Sequence, residues 1–301
     1  MLYHSVYRLR SFKKMSVGIL TDTTASIPAP LIEELGIELV PYYVMRGMET
    51  LRDMVDVKPD EFAQYLLTAQ TLPTTSNPSP GDYVNAILRL AERSLNIVAL
   101  TMTSKGSGAY QSCLAAVEML KEKMPKLRVD VVDTLAVAMA QGWAVIEAAR
   151  AAKQGLGIGE VVEKARQVAR QSMMMMTADT LRYLYMGGRI GRAQHLIGSL
   201  LNIKPIIGMQ DGVIVALATE RTRPKAYARI AELMKERLSG IRNIKVAFMH
   251  VAAADQLEHL REKVCSQFNC VETLTTSLSP ALAVHSGPGT VGLSYIPASG
   301  T

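Results

Sequence analysis

The stretch Ile97–Gly108, I-V-A-L-T-M-T-S-K-G-S-G, decides the fold. Ile97–Met102 is a β-like apolar run, Thr103–Gly108 a Ser/Gly loop, and Ala109–Lys123 reads as a helix. A strand that hands over to a helix through a short polar loop is the building unit of a parallel sheet. The same grammar recurs on both sides. Val17–Leu20 ends in the polar cluster Thr21-Asp22-Thr23-Thr24 before a helix over Pro28–Leu35, Ile37–Val40 reads as the next strand, and Val129–Val132 precedes a long helix over Thr134–Lys153. The expectation is an α/β fold whose N-terminal part is a doubly wound, mostly parallel sheet. Ligands of such sheets gather beyond the carboxyl ends of the strands, where the loops at Asp22 and Ser104–Gly108 fall.

Between these units, Tyr42–Val44 and Glu49–Leu51 can fold as a hairpin about Gly47, and Pro59–Leu67 and Ser79–Ser94 read as helices. Ser79 with Asp82 three residues on makes a near capping box. Pro73-Thr74-Thr75-Ser76-Asn77-Pro78 is a hydroxyl-rich loop pinned by proline at both ends. Gln154–Gly159 carries three glycines at alternate positions and is the best boundary. It divides a leader at 1–14 and an N-terminal domain at 15–157 from a C-terminal α/β domain at 158–301. The second half offers a helix to about Ala169, a strand at Met173–Met176 and a hairpin about Asp211-Gly212. Helix Pro224–Leu238, strand Ile244–His250, helix Asp255–Val264 and strands Val271–Leu274 and Val291–Tyr295 follow.

Composition excludes several classes. At 49% hydrophobic and 20% charged residues the chain is globular and not disordered. No apolar run reaches the roughly 18 residues that span a bilayer, so a soluble protein without an integral membrane segment is expected. Of the net charge of +6, Arg8, Arg10, Lys13 and Lys14 supply four, which leaves +2 on the body. That charge is not gathered on one folded face, and aromatics are only 5%, so no nucleic-acid partner is expected. Cys113, Cys265 and Cys270 lack metal-ligand spacing and cannot all pair, which fits a reducing cytoplasm. His4, His195, His250 and His259 show no zinc pattern.

Three places can carry chemistry. Ser107 and Gly108 open a helix whose amides can receive an anionic head group. The third glycine of a dinucleotide fingerprint, the lysine of a phosphate loop and the flanking glycines of a serine-hydrolase elbow are all missing there. Asp179–Ala193, D-T-L-R-Y-L-Y-M-G-G-R-I-G-R-A, reads as a short helix capped by Asp179, with Leu181, Leu184 and Tyr185 on one face and a left-handed end at Gly187-Gly188. Arg189 is then thrown outward, either as a bidentate clamp for a carboxylate or phosphate or as an ordinary surface arginine. His285 precedes Gly287 and Gly289, where backbone can approach a ligand closely, although a lone histidine is more often structural. Met173–Met176 is either plain core or a flexible apolar lining. Asp22, Asp53 and Asp133 stand alone at loop ends, where capping is the default role.

Taken in order, T-D-T-T-A-S, P-T-T-S-N-P-S-P-G-D, S-K-G-S-G-A-Y-Q, L-R-Y-L-Y-M-G-G-R-I-G and H-S-G-P-G-T resemble the DegV family of fatty-acid-binding proteins from about Val17 to Tyr295. The resemblance implies two α/β domains with a tunnel between them that holds one long-chain fatty acid. Its carboxylate would be met by Thr75, Ser76, Ser107 with Gly108, Arg189 and His285. The resemblance implies no metal, cofactor or catalytic residue, and a carrier that presents its ligand to a separate ATP-dependent fatty acid kinase subunit. Two departures stand out: Asn77 where the family usually has glutamine, and Asp22-Thr23-Thr24 where it usually reads D-S-T. The rival reading is an esterase or acyl transferase with Ser107 as nucleophile and His285 as base.

Overall fold

The computed structural model describes residues 16–298; the leader at 1–14 and Met15 lie outside the described residues. The first half runs β1 (Gly18–Asp22), α1 (Ala29–Leu35), β2 (Glu38–Val40), β3 (Tyr43–Arg46), β4 (Glu49–Arg52), α2 (Pro59–Thr68), β5 (Thr74–Ser76), α3 (Pro80–Ala91), β6 (Asn96–Thr101), α4 (Ala109–Lys121) and β7 (Arg128–Asp133). Strands β2, β1, β6 and β7 form, in that order, an all-parallel sheet, as the alternation predicts. Ser79 and Asp82 close the capping box that starts α3.

The proline-pinned loop departs from its sequence reading. Thr74–Ser76 pairs with the free edge of the hairpin, Thr75 opposite Val44, and so completes a small antiparallel sheet β4-β3-β5. Two β-branched residues beside an open edge find backbone partners that a loop would leave to water.

Helix α5 (Met139–Lys153) starts five residues later than the sequence suggests. Thr134 donates its hydroxyl to the Thr101 carbonyl at 2.8 Å, Asp133 accepts from the Leu135 amide at 3.0 Å, and Leu135 and Ala138 take left-handed φ values of 50° and 55°. These local bonds hold the segment against β6 and delay the helix. Twelve of the 15 residues of α5 are buried. With α6 (Ile158–Gln171), α5 forms a helical layer that packs on the parallel sheet at one side and on the second sheet at the other. Helix α5 is therefore apolar nearly all round, as a helix with two covered sides must be. The Trp143 indole donates to the Ser294 carbonyl across the second contact at 3.2 Å.

The second half continues with β8 (Met173–Thr177), α7 (Arg182–Met186), β9 (Lys204–Gln210), β10 (Val213–Glu220), α8 (Arg223–Leu238), β11 (Asn243–His250), α9 (Ala254–Cys265), β12 (Asn269–Ser277), α10 (Pro280–Ser286) and β13 (Val291–Pro297). Its sheet has the order β10-β9-β8-β13-β11-β12, antiparallel except for β11 and β12. The turn between β9 and β10 has Asp211 and Gly212 both at positive φ, the twist a two-residue hairpin requires. Helices α8 and α9 cover its outer face. Alternation along β8 divides the methionines: Met174 and Met176 join the core shared with the first half, and Met175 joins the core beneath α8 and α9. No helix among the described residues is long and apolar enough to cross a membrane.

Candidate functional site

A cavity of about 500 Å³ lies where the carboxyl-end loops of the parallel sheet meet β8, β9, β10 and α10. That volume is ordinary for a small-molecule site. Thr75, Ser76, Ser107, Gly108, Arg189 and His285 all line it, although they come from four separate segments of chain. Much of the remaining wall is apolar, and Met102, Met174, Met176, Ile207, Met209 and Ile214 supply a large part of it. The hairpin tip closes over the first half, with the Thr103 hydroxyl donating to the Gly212 carbonyl at 2.8 Å.

The polar groups are linked to one another. Thr75 Oγ1 and His285 Nε2 lie 2.8 Å apart. Ser107 Oγ accepts from the Ala109 amide at 3.2 Å and lies 2.6 Å from the Tyr42 phenol. Arg189 is exposed, donates from Nη1 to the Gly187 carbonyl at 2.6 Å, and lies within electrostatic reach of both Tyr42 and His285. Ser76 also lines the cavity, but its hydroxyl is turned to the Asn77 carbonyl at 3.4 Å, so Thr75 presents the inward hydroxyl of the pair. The Asn77 amide donates to Ser112 Oγ at 3.1 Å and to the Pro78 carbonyl at 2.8 Å, and a Cβ on Gly108 would stand 3.0 Å from its oxygen. Asn77 therefore braces the start of α4.

Two glycines lock the arginine and histidine motifs together. A Cβ on Gly187 would come within 2.2 Å of His285 Nδ1, and one on Gly287 within 2.2 Å of the Tyr183 ring. Each aromatic ring sits on the other motif's glycine, which explains why two motifs about a hundred residues apart both need glycine. Gly188, at φ 69°, makes the left-handed end of α7, and the Arg189 amide returns to the Leu184 carbonyl at 2.9 Å.

The expected cap at Asp179 is not formed. Asp179 instead accepts from Lys204 at 2.6 Å and from Arg223 at 2.7 Å, because two cations from β9 and α8 reach it; Thr180 Oγ1 accepts from the Arg182 amide at 3.0 Å in its place. Tyr185 is 49% exposed, so only Leu181 and Leu184 of the expected apolar face are buried.

Burial and nearby charge set the electrostatics of the site. Burial, with the charge of Arg189 added to it, pushes His285 down to about 4, so the imidazole is neutral at pH 7 without a ligand. Its Nδ1 is buried and has no hydrogen-bond partner among the described residues. Burial, with Asp22 nearby, raises the Tyr42 phenol well above its ordinary range and keeps it a neutral donor. Asp22 and Asp53 are fully buried, and burial pushes both upward, Asp53 to about 6. They do cap: Asp22 accepts from the Thr24 and Met102 amides, and Asp53 from Thr23 Oγ1 at 2.6 Å and the Ala281 amide at 3.3 Å. Asp53 thereby ties the end of β4 to the first turn of α10, the helix that carries His285. Ser107 is engaged with Tyr42 and His285 with Thr75, and no carboxylate among the described residues orients the imidazole. The nucleophile–base–orienter chain that an esterase needs is not assembled.

Tyr42 is the site residue that sequence reasoning missed. It reads as one residue of a hairpin strand, and only the tertiary fold brings its phenol to within 2.6 Å of Ser107, 65 residues away.

Two α/β domains whose loops enclose an amphipathic cavity, with linked hydrogen-bonding groups and a largely apolar wall, define the class of this protein. It belongs to the DegV family: the sequence model described as "Uncharacterised protein, DegV family" matches residues 16–298. A DegV domain-containing protein of Halalkalibacterium halodurans is 34% identical over 280 residues, covering 93% of this chain and 98% of that protein. Among solved structures, a DegV family protein from Thermus thermophilus described for its fatty acid binding matches with a TM-score of 0.88 at 30% identity, covering 94% of this chain and all of that one. DegV of Bacillus subtilis, described as a fatty acid binding protein, matches with a TM-score of 0.84 at 28% identity over 94% of this chain and all of its own.

Proposed function

We propose that this chain binds one long-chain fatty acid in the cavity, carboxylate toward Thr75, Ser107, Arg189 and His285 and acyl chain along the methionine and isoleucine wall. The observation that carries the reading is the cavity itself: linked donors beside an otherwise apolar lining. Each methylene removed from water is worth about 0.8 kcal/mol, so a chain of about fourteen yields up to ~11 kcal/mol, against an association cost of roughly 4–15 kcal/mol. The head-group contacts then decide affinity and orientation. An uncompensated buried carboxylate is prohibitive, and Arg189, Tyr42, Ser107 and Thr75 offer it one cation and three hydroxyls. Solved relatives described as fatty acid binding support the ligand class.

The family resemblance supports a finer reading, in which the bound acid is presented in the cytoplasm to a separate ATP-dependent kinase subunit that phosphorylates the carboxylate. Mass spectrometry of the organic extract of protein purified without added lipid tests the ligand. A stoichiometric long-chain fatty acid is expected, and an empty extract together with no rise in melting temperature on adding palmitate would overturn the reading. Acyl phosphate, trapped with hydroxylamine, is expected only when ATP and a kinase subunit are both added; its formation by this chain and ATP alone would overturn the carrier role.

A further inference from the structure

Cys265, the last residue of α9, and Cys270, the second of β12, bring their sulfurs to 3.2 Å across the turn Ser266–Asn269. Cys265 is exposed and Cys270 half-buried, whereas Cys113 is buried in the core of the first half. Both backbones are held. The Ser266, Gln267 and Phe268 amides return to the last carbonyls of α9, and Asn269 and Cys270 pair with Asn243 and Ile244 of β11. A disulfide sulfur pair stands about 2.05 Å apart, so closing the gap needs a movement of about 1.2 Å, within reach of side-chain rotation.

We propose that Cys265 and Cys270 are a modification site that forms an intramolecular disulfide by exchange with small-molecule disulfides. The Cys265 thiolate attacks one sulfur of RSSR, breaks the S–S bond and releases RS⁻, which leaves a mixed disulfide on Cys265. The Cys270 thiolate then attacks the Cys265 sulfur, forms the internal S–S bond and expels the second RS⁻. The two protein thiols are oxidised, RSSR is reduced to two thiolates, and these take up the two protons the protein loses. The order follows from accessibility. Cys265 meets solvent, while burial, reinforced by the neighbouring Cys265 thiol, raises the Cys270 thiol to about 12, which leaves the first attack to Cys265. An accessible thiol beside a resolving one is the arrangement of a reversible redox site. The bond would staple α9 to β12, an edge strand of the six-stranded sheet. A six-residue loop closed in this way raises the folded-to-unfolded ratio by roughly one to two orders of magnitude.

The test is intact-mass spectrometry and peptide mapping of the full chain after native incubation with oxidised glutathione. The wild type should become lighter by two hydrogen masses, with a 265–270 linked peptide and Cys113 unmodified. C270S should instead retain one glutathione, on Cys265, and C265S should react far more slowly. A wild type that keeps glutathione on Cys265 without the internal link, a disulfide between two chains, or equal rates for the two serine variants would overturn the proposal.

Discussion

Acidification from pH 7 to pH 5 sets a half-buried histidine against a fully buried aspartate. Burial holds His285 down at about 4, against 6.5 when exposed, and pushes Asp53 up to about 6 from 3.8. For His285 the unfolded chain takes the proton first, so its contribution to stability is lost as pH falls from about 6.5 toward 4. For Asp53 the folded chain takes the proton first, so stability is gained as pH falls through about 6, and the gain is complete below about 3.8. At 1.36 kcal/mol per pKa unit, and with both groups only partly titrated at the two ends of this interval, His285 costs about 2 kcal/mol between pH 7 and pH 5 and Asp53 returns about 1. In the wild type these nearly cancel. The His285→Gln variant keeps a polar group for Thr75 but cannot titrate. Between pH 7 and pH 5 its stability should therefore rise by about 2 kcal/mol relative to the wild type, and Asp53→Asn should fall by about 1. Urea unfolding of delipidated protein at both pH values measures this. His250 and Asp22, also shifted by burial, are common to the wild type and His285→Gln and drop out of that comparison. Parallel pH dependences for wild type and His285→Gln, within about 0.5 kcal/mol, would refute a His285 kept neutral by burial.

Arg189→Ala removes a cation that acts on His285 and breaks a bond to its own loop. Palmitate affinity, read by displacement of a fluorescent fatty acid, should fall at least about tenfold with the melting temperature of the free protein unchanged; unchanged affinity would remove Arg189 from the site. Tyr42→Phe deletes the 2.6 Å partner of Ser107 and should weaken binding about five- to tenfold, or about 1 kcal/mol. An unaltered dissociation constant would make the phenol a structural group only. Gly187→Ala places a methyl group 2.2 Å from His285 Nδ1 and should destabilise the fold by about 1–3 kcal/mol as the imidazole is displaced. A wild-type melting curve from that variant would sink the glycine-on-ring account.

By itself the sequence determined what local chemistry can encode. Apolar runs ending in polar loops announced β1, β6 and β7 and their parallel pairing, Ser79 with Asp82 started α3, and Asp211-Gly212 turned β9 into β10, because each depends on residues a few positions apart. Four polar residues of the cavity, Thr75, Ser107, Arg189 and His285, were legible through motif resemblance, since each sits in a short, recognisable loop. Tertiary structure alone decided the rest. The strand at Thr74–Ser76 exists because the edge of β3 was open, and α5 was delayed by bonds from Asp133 and Thr134. Asp179 left its cap for Lys204 and Arg223, cations 25 and 44 residues away. The neutral state of His285 and the turning of Tyr42 toward Ser107 depend on what surrounds each group once the chain has closed over it. Burial and charge are sums over neighbours brought together from the whole chain, and no local pattern carries that sum.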